Sequence, residues 1–209
     1  MIYYVIPAKR DSEGFPFKNR KLFENTIKTI PDKYKKNVIV TTNDQVILDH
    51  SAYHGVKAIY RNNENSGLNI HTHTSSMKDV LTDVVHFCDL NDNDIIVMLY
   101  LTYPQRTWED IQKAIDYFNI ANATSLLCRK KPKTHPYLCI YNDGKQIIKH
   151  NEYRRQDYPE VWEISHFIQI AYVFELYRLN KNLYNDYTVY MTIEDKIDVD
   201  YEKDLRELK

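Results

Sequence analysis

The sequence predicts an α/β fold, a mostly parallel sheet with helices on both faces. From Met1 to Cys128, short apolar runs alternate with segments of helical spacing. The apolar runs are continuous rather than alternating, as expected of strands buried on both sides. Hydrophobic residues make up 43% of the 209 positions, enough to fill one substantial core. A single domain is therefore expected over 1–209, with residues 132–166 as an inserted arm.

Met1 to Pro7 reads as a short buried strand. Lys21 to Ile30 carries Leu22, Phe23, Ile27 and Ile30 at helical spacing, and Pro31 follows its end. Asn37 to Thr42 is a second buried strand. Asn43 or Asp44 can then cap a helix running to about His54, with Gly55 as its stop. Val56 to Tyr60 is a third strand, Thr72 to Phe87 a helix, and Asp94 to Leu101 ("DIIVMLYL") the clearest buried strand. Thr107 to Phe118 is an amphipathic helix opened by a capping box, and Thr124 to Cys128 a short strand. The pattern then changes. "HPYLCIYNDGKQIIKH" places two β-like runs about Asn142-Asp143-Gly144, a hairpin signal that suits either a surface loop or an arm pairing with a second subunit. Phe167 to Phe174 and Thr188 to Ile193 read as strands, and Tyr201 to Leu208 as a closing helix.

The formal net charge of -1 gives no overall pull toward nucleic acid or anionic membrane. No apolar run approaches the roughly 20 residues of a membrane span, and the opening four residues are too few for a signal peptide. Cys88, Cys128 and Cys139 are odd in number and lack metal-site spacing, so reduced thiols and a cytoplasmic location are expected.

Any anion site must then come from local clustering. Val5 to Asn19 runs from a strand into a loop with Lys9, Arg10, Gly14 and Lys18, which suits a polyphosphate, although Asp11 and Glu13 sit in its middle. In Ile197-Asp198-Val199-Asp200, an extended backbone would turn both carboxylates to one face, as Mg²⁺ requires. The alternative is a pair of acids entering the closing helix. Arg154, Arg155 and Gln156 can recognise a carboxylate or phosphate, or stand as solvated charges on an arm. His135 is a further candidate, and His71 and His73 hint at a metal only if a third ligand joins them.

These blocks together resemble the cytidylyltransferases that activate nonulosonic acids, the acylneuraminate (CMP-sialic acid synthetase-like) family. Ile6 to Asn19 is similar to the family pattern I-P-A-R-x-x-S-K-G-x-P-x-K-N, and Leu99 to Thr107 to an altered L-x-P-T-S-P-x-R-T. "RRQDYPEVW" looks like R-x-x-Q-x-x-P-x-x-Y, and "IDVDYEKDL" like I-D-I-D-T-x-x-D-L. The order is kept across the chain. The resemblance implies a Rossmann-like fold, a β-rich dimerisation arm, and a homodimer. It also implies CTP and Mg²⁺, with CMP joined to the anomeric hydroxyl of a sialic acid-like sugar acid and pyrophosphate released.

By position, the resemblance implies that Lys9, Ser12 and Lys18 cradle the triphosphate. Lys18 neutralises charge at the α-phosphate, and Arg10 adds a cation. The resemblance likewise implies that Asp198 and Asp200 hold Mg²⁺ and that Asp200 assists deprotonation. Arg61, Thr102 and Arg106 fall near nucleotide or structural positions, while Tyr100, Arg155, Gln156 and Ser165 face the sugar acid. The chain departs from the family at Lys9 for Arg, Glu13 for Lys, Tyr100-Leu101 for Gln-Pro, and Ser165-His166-Phe167 for Asn-Gly-Ala. Two other readings stay open at this point, an inactive binding or assembly subunit and a nucleotidyltransferase for a different sugar.

Overall fold

The computed structural model describes residues 1–12, 14–61 and 75–208, so Glu13, His71 and His73 lie outside the described residues. The sheet has seven strands: β1 (Ile2–Ala8), β2 (Val38–Thr42), β3 (Lys57–Tyr60), β4 (Ile95–Met98), β5 (Ser125–Lys130), β6 (Glu163–Tyr172) and β7 (Val189–Thr192). Their spatial order is β3-β2-β1-β4-β6-β5-β7. The pairs β1–β2, β1–β4, β2–β3 and β5–β7 are parallel, while β6 runs antiparallel to both β4 and β5.

Continuous apolar strands are buried on both sides, as their pattern requires. On one side, Tyr4, Ile6, Val38, Val40 and Val97 meet α1 (Lys18–Thr29), α2 (Gln45–Tyr53) and α4 (Trp108–Ile120) through Phe23, Ile47 and Phe118. On the other, Val5, Ile39, Ile96 and Met98 meet Leu81 and Val84 of α3 (Met77–Cys88) and the segment from Val173 to Leu183. Full burial of each such side chain is worth roughly 1.5–3 kcal/mol.

The helix starts follow their caps. The Asp44 side chain accepts from the Val46 N–H at 3.1 Å, and Ser76 and Thr107 each form a capping box, with Asp79 and Asp110. Gly55, at φ 65°, follows α2 in the left-handed region that stops helices.

Some boundaries differ from expectation. Helix α1 begins at Lys18 rather than Lys21, because Phe17 takes a left-handed turn (φ 54°) that swings the chain into it. Strand β4 stops at Met98, so Tyr100 to Thr102 leave the sheet. The closing segment Glu202–Leu208 is 3-10 rather than α.

The expected β-rich arm needs a larger correction. Between β5 and β6 the hairpin shrinks to one bridge, Ile140 to Gln146, around a turn closed by Gly144 N–H to Tyr141 O at 2.9 Å. Rings hold the arm instead: Tyr137 stacks on His150 at 4.0 Å, and Tyr158 packs against both. No helix among the described residues is long and apolar enough to cross a membrane.

Candidate active site

A cleft of about 590 Å³ opens where β1, β3 and β4 end, the place at which parallel sheets bind ligands. Its floor is the loop after β1. Lys9, Asp11 and Ser12 line it, and the Asn19 side chain pins the loop by donating to Lys9 O at 2.6 Å. Gly14 is required here by space. A Cβ on it would lie 2.7 Å from the Asp200 carbonyl oxygen, so only glycine lets the loop pass the C-terminal segment. Helix α1 then begins with no acidic residue in its first turn, leaving the positive end of its dipole facing the loop.

Lys18 sits in that first turn and is 9% exposed. Its Nζ donates to Val199 O at 3.1 Å and to Asp200 Oδ1 at 2.9 Å. The opening loop and the C-terminal acids thus share one lysine, although 181 positions separate Lys18 from Val199.

Burial alternates through the acids, as the same-face reading expects. Val199 is buried and its N–H donates to Thr102 O at 2.8 Å, while Asp198 and Asp200 on either side are exposed and line the cleft. Capping of the closing helix falls to Asp204 instead, whose carboxylate accepts from the Asp200 and Tyr201 N–H groups at 2.9 and 2.7 Å. Those backbone donors hold the Asp204 carboxyl below its ordinary range. The helix-entry alternative for Asp198 and Asp200 loses its purpose.

Two further walls close the cleft. At the end of β3, Arg61 lines it beside Met77 and Val80. Its Nε and Nη2 are buried with no hydrogen-bond partner among the described residues, and burial draws its pKa down to about 10 against the pull of Asp83. On the opposite side stand Tyr100 and His166, their ring centroids 5.6 Å apart. Burial first, and the nearby Asp198 charge second, push the Tyr100 phenol upward.

Arg106 lies behind this wall, 3% exposed. It donates to Phe167 O and Tyr100 O, both at 2.8 Å, stapling β6 to the chain leaving β4. Of the two roles sequence allowed it, the structural one holds.

The cleft gathers Lys9, Ser12, Lys18, Arg61, Tyr100, Thr102, Asp198 and Asp200 from four stretches of the chain, but not every expected residue. Arg10 turns away: its N–H donates to Asn43 Oδ1 at 2.8 Å, and its guanidinium lies beside Asp11. Ser165 is buried behind the cleft, its hydroxyl 3.5 Å from Tyr103 OH, because strand alternation turns its neighbour His166 toward the opening. Arg155 and Gln156 are exposed on a 3-10 turn of the arm, outside the cleft lining in this chain. Sequence reasoning missed Asn19 and Tyr201 as lining residues, and marked His166 only as part of a departing block at the sugar end. The Lys-Asn end of the opening motif and the Ser165-His166-Phe167 departure were the available signals.

No protein-family model matches the chain. It is similar to the N-acylneuraminate cytidylyltransferase of Streptococcus agalactiae serotype V, with 26% identity over 216 residues, covering 96% of this chain and 50% of that protein. The serotype III counterpart is 25% identical over the same span. The chain therefore spans about half the length of the curated relatives it matches. Among solved structures, CMP:2-keto-3-deoxy-manno-octonic acid synthetase complexed with CTP aligns at TM-score 0.65 and 14% identity, covering 99% of this chain and 96% of that one. The chain shares the fold of that structure. The 4-diphosphocytidyl-2C-methyl-D-erythritol synthase of Anaerococcus prevotii has a similar fold, at TM-score 0.62 and 14% identity, over 99% of this chain and 95% of its own.

Proposed function

We propose that the chain is a cytidylyltransferase that transfers CMP from CTP to the anomeric hydroxyl of a sialic acid-like keto sugar acid, releasing pyrophosphate. The observation that carries this reading is Lys18, held by Val199 O and Asp200 between an anion-binding loop and two exposed carboxylates. The sequence likeness to N-acylneuraminate cytidylyltransferases supports the sugar-acid acceptor.

In this reading Lys9, Ser12 and the N-terminus of α1 receive the triphosphate. The acceptor oxygen attacks the α-phosphorus, forming a new P–O bond as the bond to the β-phosphate oxygen breaks. Pyrophosphate leaves with that electron pair, and the hydroxyl proton passes to Asp200. Lys18 donates to the α-phosphate as charge builds there, the dominant need of such transfers. Asp198 and Asp200 would hold Mg²⁺. Two hard oxygen donors fit an ion completed by phosphate and water, and no cluster of three or more His, Cys, Asp or Glu suited to a metal exists among the described residues. Mg²⁺ supplies charge neutralisation of the triphosphate when bound.

The homodimer belongs to this proposal. Ile140, Tyr141 and Tyr153 are exposed on the arm, which supports its use as a surface for a second copy. The free cysteines Cys88, Cys128 and Cys139 agree with a reducing cytoplasm. The test is release of pyrophosphate that needs CTP, Mg²⁺ and a keto sugar acid together. Release indifferent to the nucleobase, or none across a panel of such acids, would contradict the proposal.

A further inference from the structure

The strand order assigns the two ends of the cleft. Loops following β1 lie at its centre, β3 is two strands away on one side, and β6 is two strands away on the other. Neighbouring strands are about 4.8 Å apart, so each end sits roughly 10 Å from the phosphate loop. At the β3 end, Arg61 offers buried donors without a partner among the described residues, beside apolar Met77 and Val80, which suits a flat base with carbonyl acceptors. The acceptor is left with the β6 end, where Tyr100, His166 and Asp198 line the cleft.

His166 is the unusual group there. Its Nδ1 is buried and has no hydrogen-bond partner among the described residues, and its ring packs against Tyr100 at 5.6 Å. The half-buried remainder of the ring lines the cleft. Its strand neighbours Ser165 and Phe167 face away and are buried, with Phe167 packed edge-on against Tyr103 at 5.5 Å, so the strand that carries the ring is anchored in the core. A cleft of about 590 Å³ must also hold nucleotide and acceptor together, whereas one small ligand alone commonly fills about 300–1,000 Å³.

We propose that His166 is the specificity-determining residue of the acceptor end, admitting an unsubstituted keto sugar acid and excluding one that bears a bulky acylamino substituent. This rests on the cytidylyltransferase reading and narrows its acceptor. An imidazole packed against Tyr100 in a lining shared with Asp198 fills room that a smaller residue would leave open, and it offers polar edges to hydroxyls. One misfitting group in a closed pocket is worth roughly 10–200-fold in kcat/KM.

The test measures pyrophosphate release from CTP with two acceptors, an unsubstituted eight-carbon 2-keto-3-deoxy sugar acid and an N-acylated nine-carbon acid. The wild type should favour the unsubstituted acid by about tenfold or more in kcat/KM. His166→Gly should shrink that ratio about tenfold, chiefly by lowering KM for the acylated acid, and His166→Asn should fall between. If His166→Gly fails to fold, the His166→Asn ratio decides. An unchanged ratio, or a wild-type preference for the acylated acid, overturns the proposal. Calorimetry with CTP on the same proteins separates the two levels. Normal CTP binding with an unchanged ratio removes only the role of His166, whereas no CTP binding by the wild type removes the functional reading and this inference with it.

Discussion

Lys18 joins the opening loop to the C-terminal acids. It is nearly buried, it stands at the head of α1, and both of its hydrogen bonds reach the C-terminal segment. Lys18→Ala should lower turnover roughly hundredfold or more, the usual cost of one well-placed donor to developing charge. Lys9→Arg should change it little, and steady-state kinetics with CTP separates these outcomes. Gly14→Ala would push a methyl to 2.7 Å from Asp200 O, so it should cost about 1–3 kcal/mol in urea unfolding and displace the acids.

Asp44 carries a pH signature. Burial alone would raise its carboxyl, yet hydrogen bonds from Arg20 at 2.7 and 2.9 Å and from the Val46 N–H bring it below the usual range. A depressed carboxyl stabilises the fold above its unfolded value near pH 3.9, and that contribution fades as pH falls through the lower folded value. Asp44→Asn should therefore be less stable than wild type near neutrality, and the gap in urea midpoint should close below about pH 4. A gap constant across pH would contradict this account of Asp44.

At the scale of elements, helix α4 depends on its first turn. The Thr107 hydroxyl accepts from the Asp110 N–H and the Asp110 carboxylate accepts from the Thr107 N–H. Thr107→Ala should cost about 1 kcal/mol of stability, measured by denaturant midpoint. This capping box was legible in sequence, as were the Asp44 cap and the Gly55 stop, because each is a local hydrogen-bond rule. The parallel strands were legible from hydrophobic patterning: β2 and β7 fall within a residue of their apolar runs. The start of α1 was not, since nothing local announces that Phe17 turns left-handed. Nor was the arm. Asn142-Asp143-Gly144 does form its turn, but ring stacking among Tyr137, His150 and Tyr158 takes the place of a ladder. The site divides in the same way. Lys18 and the two aspartates followed from motif spacing, whereas the outward turn of Arg10 and the exchange of Ser165 for His166 depend on which face each backbone presents.

On the scale of the whole molecule, the sheet gathers chemistry from distant positions to one edge. Val199 N–H to Thr102 O and Lys18 to Asp200 lock the C-terminal segment across the exits of β1 and β4. The chain thereby places Lys9 and Lys18 on the floor and two carboxylates opposite, a pattern that would complement the metal-bound triphosphate proposed above. Isothermal calorimetry with CTP, with and without Mg²⁺, tests this most directly. The account predicts saturable binding that Mg²⁺ strengthens, prefers CTP to the other nucleoside triphosphates, and weakens at least about tenfold in Lys18→Ala. Absence of CTP binding in the presence of Mg²⁺, or binding that Lys18→Ala leaves untouched, would contradict it.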